Sequence, residues 1–104
     1  MYTGMMTISA RIDREIAEEI ERIMRRKGAD RSTVIRELLR IGIQEFKLRE
    51  ALELVRERKV SVWKAAEIAG LTYREMLMKL REHNVPFPLT EGELARELEE
   101  ISSE

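Results

Sequence analysis

Apolar and polar side chains alternate strictly at one place near the start of the chain. Thr7, Ser9 and Arg11 are polar, and the residues that follow each of them are Ile8, Ala10 and Ile12. A period of two is typical of a half-buried β-strand. Residues 1–5 show no periodicity, and we expect them to form a disordered leader.

The pattern then changes to a helical period. Asp13 is in position to cap a first helix, whose apolar stripe is Ile16, Ile20, Ile23 and Met24. Lys27 and Gly28 are typical of a helix end, because basic residues complement the helix dipole and glycine accepts a left-handed conformation.

Ser32 is the predicted N-cap of a second helix, which reaches Phe46. The apolar stripe of this helix is too wide for one contact face and indicates a helix packed on two sides, as in an intertwined dimer. Gly42 interrupts it, either because another helix crosses closely or as a tolerated defect. The stripe consists of Val34, Ile35, Leu38, Leu39, Ile41, Ile43 and Phe46.

A single strand cannot be stable alone, because its backbone donors and acceptors need a partner. The chain has only one convincing strand. The simplest partner is the same strand of a second copy, paired about a two-fold axis. The pattern therefore predicts a homodimer.

The order strand, helix, turn, helix over residues 6–46 resembles the ribbon-helix-helix class of repressors, with Thr7–Ile12 opening it and Arg31–Leu39 heading the second helix. The resemblance implies that the paired strands enter the major groove of double-stranded DNA, with Thr7, Ser9 and Arg11 facing the bases. It also implies a phosphate site at the start of the second helix, contacted by Arg31, Ser32 and Thr33. The alternative is that the polar strand residues form a solvated face.

Residues 47–83 are predicted to form a second, helical domain. Helix continues through Lys59, Ser61 caps a short helix over residues 62–69, and Thr72 with Glu75 forms a capping box for another helix. Small alanines, a turn glycine and a capping threonine in this order resemble a helix-turn-helix. Its predicted exposed side is a candidate second DNA contact or else a solvated or protein-binding face, and consists of Thr72, Tyr73, Arg74, Met78, Lys79 and Arg81.

The stretch from Ala51 to Glu97 also resembles a group of small prokaryotic antitoxin-like proteins. Residues 51–54, 64–72, 85–86 and 89–94 carry this resemblance. It implies a partner of the PIN-type ribonuclease toxin class.

Residues 84–104 are predicted to be a proline-containing linker followed by an acidic helix. Thr90 and Glu93 make a capping box, and the helix runs to about Ile101. It either packs on its own domain or folds on a basic partner. The candidate partner-binding side chains are Phe87, Leu94, Leu98 and Ile101.

Charge is distributed unevenly, although the whole chain has a net charge of −1. Residues 1–46 sum to +1, residues 47–83 to +3 and residues 84–104 to −5. Local basic faces can bind nucleic acid despite this sum, whereas the acidic end is suited to a basic partner.

Several classes of function find no support in the composition. The chain has no cysteine and one histidine, His83, and it has no glycine-rich phosphate loop. We therefore expect no enzymatic activity, no cofactor and no metal site. It also has no long apolar run or signal-peptide pattern, so we expect a cytoplasmic protein without a membrane partner. The resemblance to antitoxin-like proteins implies that it is prokaryotic.

The sequence thus predicts a mostly α fold: a ribbon-helix-helix dimer followed by a helix-turn-helix-like module. Two functions remain open. One is the autorepressing antitoxin of a type II toxin-antitoxin pair, and the other is a stand-alone transcription repressor with two DNA-reading modules and no toxin. Higher-order assembly on DNA is open in both.

Overall fold

A computed structural model of the chain describes residues 4–87. Within this range the regular structure is helical, with no strand, which confirms the predicted fold class at the level of a mostly α protein. The helices are α1 (Arg14–Lys27), α2 (Arg31–Arg56), α3 (Val62–Ala69) and α4 (Tyr73–Glu82).

The predicted ends of α1 are confirmed. The Asp13 side chain accepts a hydrogen bond from the amide of Ile16 at 2.9 Å. Gly28 has a left-handed backbone with φ of 65°, and its amide donates to the carbonyl oxygen of Met24. Both ends of α1 are therefore set by single residue types that can be read in the sequence, a capping aspartate and a glycine.

Both predicted ends of α2 are wrong by a few residues. At the start, the cap is Asp30 and not Ser32: its carboxylate accepts from the amide of Thr33 at 2.9 Å, and its carbonyl oxygen accepts from the amide of Val34. At the end, helix stops at Arg56 and does not reach Lys59. Arg58 has a φ of 58°, and the amide of Lys59 donates back to the carbonyl oxygen of Leu54.

The contacts divide the chain between Leu39 and Arg40, inside α2, whereas the sequence-based division falls between residues 46 and 47. In the first unit the buried apolar side chains of the described residues are Ile20 and Val34. Two exposed ion pairs also join the helices there, Lys27–Glu37 at 2.6 Å and Arg31–Glu21 at 2.7 Å. Exposed pairs of this kind contribute little to stability.

The second unit has its own hydrophobic core. The end of α2 contributes Leu48, Ala51, Leu52 and Val55, and Val85 closes the core after α4. Seven of its buried side chains are alanine or valine, and the four alanines let helices approach closely. The remaining core residues, from α3 and α4, are Val62, Ala65, Ala66, Ala69, Tyr73, Met76, Leu77 and Leu80.

Candidate nucleic-acid interface

The alternating segment has no regular secondary structure within one chain. Thr7, Ser9 and Arg11 are exposed, as predicted, but the apolar residues between them are exposed too. Ile8 is 81% exposed and Ile12 is 50% exposed. Among residues 4–87 no second strand pairs with this segment, so the ladder across a two-fold axis stays a prediction.

A stripe of large apolar side chains on α2 is exposed as well. Phe46 is 68% exposed, and Leu38, Leu39, Ile41 and Ile43 are also open to solvent. Gly42 lies among them, and a Cβ placed there would meet nothing within 4 Å. The close crossing suggested for Gly42 is therefore not found within the described residues of one chain.

The start of α2 is built differently from the predicted phosphate site. The Asp30 carboxylate already accepts the hydrogen bond that the amide of Thr33 could donate to a phosphate. The Arg31 guanidinium forms an ion pair with Glu21. The side chain and amide of Thr33 lower the pKa of Asp30, and Arg36 lowers it further. A carboxylate at this end opposes a phosphate, because both would compete for the same positive end of the helix.

The helix-turn-helix-like segment is formed by α3, a turn and α4, which pack together. The Ser61 hydroxyl accepts from the amide of Lys64 at 3.1 Å, as predicted for a cap. Gly70 turns the chain with a φ of 69°. The predicted capping box is also confirmed: the Glu75 amide donates to the Thr72 hydroxyl at 3.1 Å, and the Thr72 amide donates to Glu75 Oε1 at 2.8 Å.

One side of α4 carries residues that could meet a ligand; two of them, Met78 and Arg81, are exposed, and Arg74 is half-buried. Arg74, Met78 and Arg81 follow one another at spacings of four and three, which places them on one face of the helix. Met78 is 54% exposed. Lys79 lies on another side and pairs with Glu82 at 3.4 Å. Arg74, Met78 and Arg81 are called the α4 face below.

Tyr73 does not belong to this exposed side, contrary to the prediction. It is only 2% exposed, and its ring stacks on that of Trp63 with centroids 4.2 Å apart and planes within 3°. Its phenol therefore has a packing role, because a side chain this buried cannot reach a base edge.

The stacked pair lines an open cleft of about 540 Å³ between α3 and the start of α4. Lys64 and Glu67 lie in its wall and approach each other to 3.6 Å. The other lining residues, mostly apolar, are Trp63, Ala66, Leu71, Thr72 and Tyr73. We call this the aromatic cleft.

Sequence reasoning missed three residues that shape these sites. Gln44 donates its side-chain amide to the carbonyl oxygen of Ala69 at 2.6 Å, which no periodicity reveals. Asp30 precedes α2 and has the residue type of a cap, so it could have been found. Trp63 could also have been noticed, since it is the only tryptophan.

The predicted partner-binding residues fall mainly outside the described part of the chain. Phe87 is partly buried and packs against the core of the second unit. Leu94, Leu98 and Ile101 lie beyond residue 87, outside the described residues. His83 follows α4, and its amide donates to the carbonyl oxygen of Lys79 at 3.0 Å.

Residues 4–87 contain neither a cluster of metal ligands nor a membrane span. No three histidine or carboxylate side chains in that range lie close enough to hold a metal ion. None of the helices described there is both long and apolar enough to cross a bilayer.

Comparison with known proteins identifies one family. The model of UPF0175, described as an uncharacterised protein family, matches residues 6–103 and so spans both segments for which resemblances were noted. A "UPF0175 protein" of Archaeoglobus fulgidus is 47% identical over 58 residues, which cover 56% of this chain and 67% of that protein. No solved structure gives a significant match. The chain belongs to the UPF0175 family.

Proposed function

We propose that the protein is a homodimeric, sequence-specific DNA-binding transcriptional regulator that acts as the autorepressing antitoxin of a type II toxin-antitoxin pair. The observation that carries this proposal is the alternating segment, whose apolar side chains Ile8 and Ile12 are exposed in one chain. Ile8 is 81% exposed and Ile12 is 50% exposed.

A second copy of the chain could both bury the exposed isoleucines of this segment and pair its backbone hydrogen-bonding groups. Burying an isoleucine side chain gains roughly 1.5–3 kcal/mol. Strand pairing would also satisfy the backbone groups of residues 7–12, and a two-fold axis lets each copy serve the other. The exposed Leu38 and Leu39 of α2 offer further apolar surface to the same partner.

The opposite face of the paired strands would contact the DNA bases. With Ile8 and Ile12 turned inward, Thr7, Ser9 and Arg11 point outward together. A two-stranded ribbon fits the major groove, where an arginine can donate two hydrogen bonds to guanine and hydroxyls can donate or accept. Phosphate contact by Ser32 and Thr33 has weaker support, because Asp30 brings a negative charge to that helix end.

The dimer is tested with two neighbouring substitutions on opposite faces of the segment. Ile8→Arg should yield a monomer in sedimentation equilibrium, because it places a charge in the proposed interface. Thr7→Arg, the matched control, should remain dimeric because its side chain faces outward. A dimeric Ile8→Arg protein or a monomeric wild type would contradict the proposal.

DNA binding is tested on the upstream region of the protein's own gene. Wild type and Thr7→Ala should differ in affinity for that sequence, while both bind a scrambled duplex with the same weak affinity. If the wild type bound the upstream sequence and the scrambled duplex with equal affinity, the proposal of a sequence-specific regulator would be contradicted.

The antitoxin part of the proposal is supported by the acidic end, whose residues 84–104 carry a net charge of −5. A ribonuclease of the PIN type encoded beside the gene should co-purify with the full chain. Leu94→Glu with Leu98→Glu should abolish that complex and leave operator binding intact. Loss of both activities together would contradict this division of roles.

The second candidate function is a stand-alone repressor, and the α4 face favours it. Arg74 and Arg81 flank an exposed Met78 on the second helix of a helix-turn-helix-like pair. Under this function, replacing both arginines by alanine should flatten the salt dependence of DNA binding. An unchanged salt dependence would assign the α4 face to a protein contact.

A further inference from the structure

We propose that the part of α2 in the second unit contacts the same part of α2 in a second copy of the chain, with the two helices antiparallel. The contact is made by four exposed residues, Arg40, Ile43, Phe46 and Glu50, which we call the α2 patch. The proposal rests on the homodimer of the proposed function, to which it adds a second contact that does not involve the strand. It requires neither DNA nor a toxin.

The apolar centre of the α2 patch lies on the side of the helix that faces away from the core of the second unit. Leu48 and Val55 are buried in that core. Ile43 and Phe46 lie roughly 160° around the helix from them, at 3.6 residues per turn. Ile43 is 55% exposed and Phe46 is 68% exposed, so two large apolar side chains are open to solvent next to each other.

The charges at the two ends of the α2 patch are complementary in one orientation. Along the helix a basic residue comes first, then the two apolar residues, then an acidic residue. In a two-fold symmetric contact between antiparallel helices, Arg40 of each copy lies opposite Glu50 of the other, and Ile43 lies opposite Phe46. In a parallel contact each residue would meet its own copy, so that arginine would face arginine. Charge therefore favours the antiparallel contact.

The charged ends of the α2 patch cannot neutralise each other within one chain. Arg40 and Glu50 are ten residues apart, which is roughly 15 Å along a helix. Within residues 4–87 neither of them forms an ion pair, whereas the nearby Glu45 and Arg49 approach each other to 3.2 Å. A second copy would supply the opposite charge to both ends.

The size of the α2 patch determines how strong the contact is. Two apolar side chains from each copy bury far less than the roughly 800 Å² per partner of stable complexes. The patch therefore does not hold two chains together by itself. Copies already joined at residues 7–12 keep their patches at a high effective concentration, at which a weak contact forms. Strand pairing brings the copies together, and the α2 patch tightens the dimer.

The apolar centre is tested with two isoleucines of similar exposure. In the full chain without DNA, Ile43→Glu should raise the dissociation constant of the dimer about tenfold or more, because a symmetric contact loses the side chain twice. Ile41→Glu is the matched control: Ile41 is 60% exposed but lies roughly 200° around the helix from Ile43, and its substitution should leave the constant unchanged. Sedimentation equilibrium measures both. Equal effects of the two substitutions would overturn the proposal.

The antiparallel orientation is tested by exchanging the charges. Arg40→Glu and Glu50→Arg should each raise the dissociation constant severalfold, because each places like charges opposite each other at both ends of the contact. The double variant, Arg40→Glu with Glu50→Arg, should recover the wild-type value. Since the two positions are too far apart to meet within one helix, recovery requires a contact between copies. A double variant as weak as the single variants, or single variants without effect, would overturn the antiparallel contact.

The same measurements distinguish a failure of the α2 patch from a failure of the strand-paired dimer. If Ile8→Arg is monomeric and Ile43→Glu dimerises like the wild type, the α2 contact is overturned and the strand-paired dimer stands. If Ile8→Arg stays dimeric and becomes monomeric only when Ile43→Glu is added, the strand-paired dimer is overturned and the α2 contact stands as the interface.

Discussion

Gln44 and Ala69 are joined by a hydrogen bond of 2.6 Å from the glutamine side-chain amide to the last carbonyl oxygen of α3. The bond ties the middle of α2 to a helix end whose carbonyl would otherwise lack an intrahelical donor. Gln44 thereby fixes where the turn at Gly70 sits against α2, and a Cβ at Gly70 would lie 4.0 Å from the Gln44 side chain.

Gln44→Ala should destabilise the protein by about 1 kcal/mol, the usual net worth of one such hydrogen bond. Urea unfolding followed by circular dichroism measures this. The matched control is Glu45→Ala, which removes an exposed ion pair with Arg49 and should change stability little. Equal effects of the two substitutions would show that the Gln44 bond contributes nothing specific.

Gly42→Ala should stabilise the helix by about 1 kcal/mol if nothing approaches it, since alanine is the better helix former. The open space around a Cβ at Gly42 gives the reason within one chain. Gly28→Ala is the control and should be destabilising, because φ at Gly28 is positive. A weaker dimer in Gly42→Ala would instead reveal a close contact from the second copy.

The Thr72 capping box predicts a pH dependence of stability. The hydrogen bond from the Thr72 backbone, and then that from its side chain, lower the pKa of Glu75. A carboxyl with a lowered pKa in the folded state stabilises the fold above the ordinary glutamate pKa. That contribution is lost as the pH falls through this range to the lowered value.

Thermal unfolding between neutral pH and pH 3 measures the effect. Glu75→Gln should lose less stability than the wild type as the pH falls, because it has no carboxyl to protonate at this position. Glu67→Gln serves as the exposed control. Parallel stability curves for wild type and Glu75→Gln would contradict the role given to the capping box.

Asp30→Ser should keep α2 capped while removing one negative charge from its start. If a DNA phosphate approaches this helix end, the affinity for DNA should rise in the variant, most clearly at low salt. An unchanged affinity would show that no phosphate binds there. Thermal stability, measured in parallel, reports whether serine replaces the cap.

Arg11→Ala should cost roughly 1–3 kcal/mol in binding to the cognate site and relax specificity at one base position. The measurement is a titration against a set of duplexes that differ at single positions. Arg14→Ala, a neighbouring basic residue in the first turn of α1, is the control. A uniform loss on all duplexes would assign Arg11 to the phosphates.

Local chemistry explains which elements could be predicted from the sequence. The caps at Asp13, Ser61 and Thr72 use only residues within three positions of the helix start, so the sequence displays them completely. The start of α2 is harder to predict, because two residues of capping types, Asp30 and Ser32, lie close together. The first of them is the cap in the structure.

The candidate site was less predictable where it depends on tertiary packing. The burial of Tyr73 could have been predicted, because it lies three, four and seven residues before Met76, Leu77 and Leu80 and so shares their side of α4. Its stack on Trp63 could not. Gln44 was also beyond prediction, because its acceptor is 25 residues away along the chain. The strand could not be tested in one chain, since its predicted partner is a second copy.

The separate core of the second unit has a consequence for how the protein responds to its own abundance. Among residues 4–87, the side chains of that core come from positions 48–87 of one chain, so its formation needs no second molecule. Strand pairing at residues 7–12 would be bimolecular, and its extent would therefore rise with concentration. At low copy number the amino-terminal end would stay accessible to proteases while the other half remained folded, so a fall in synthesis would accelerate turnover.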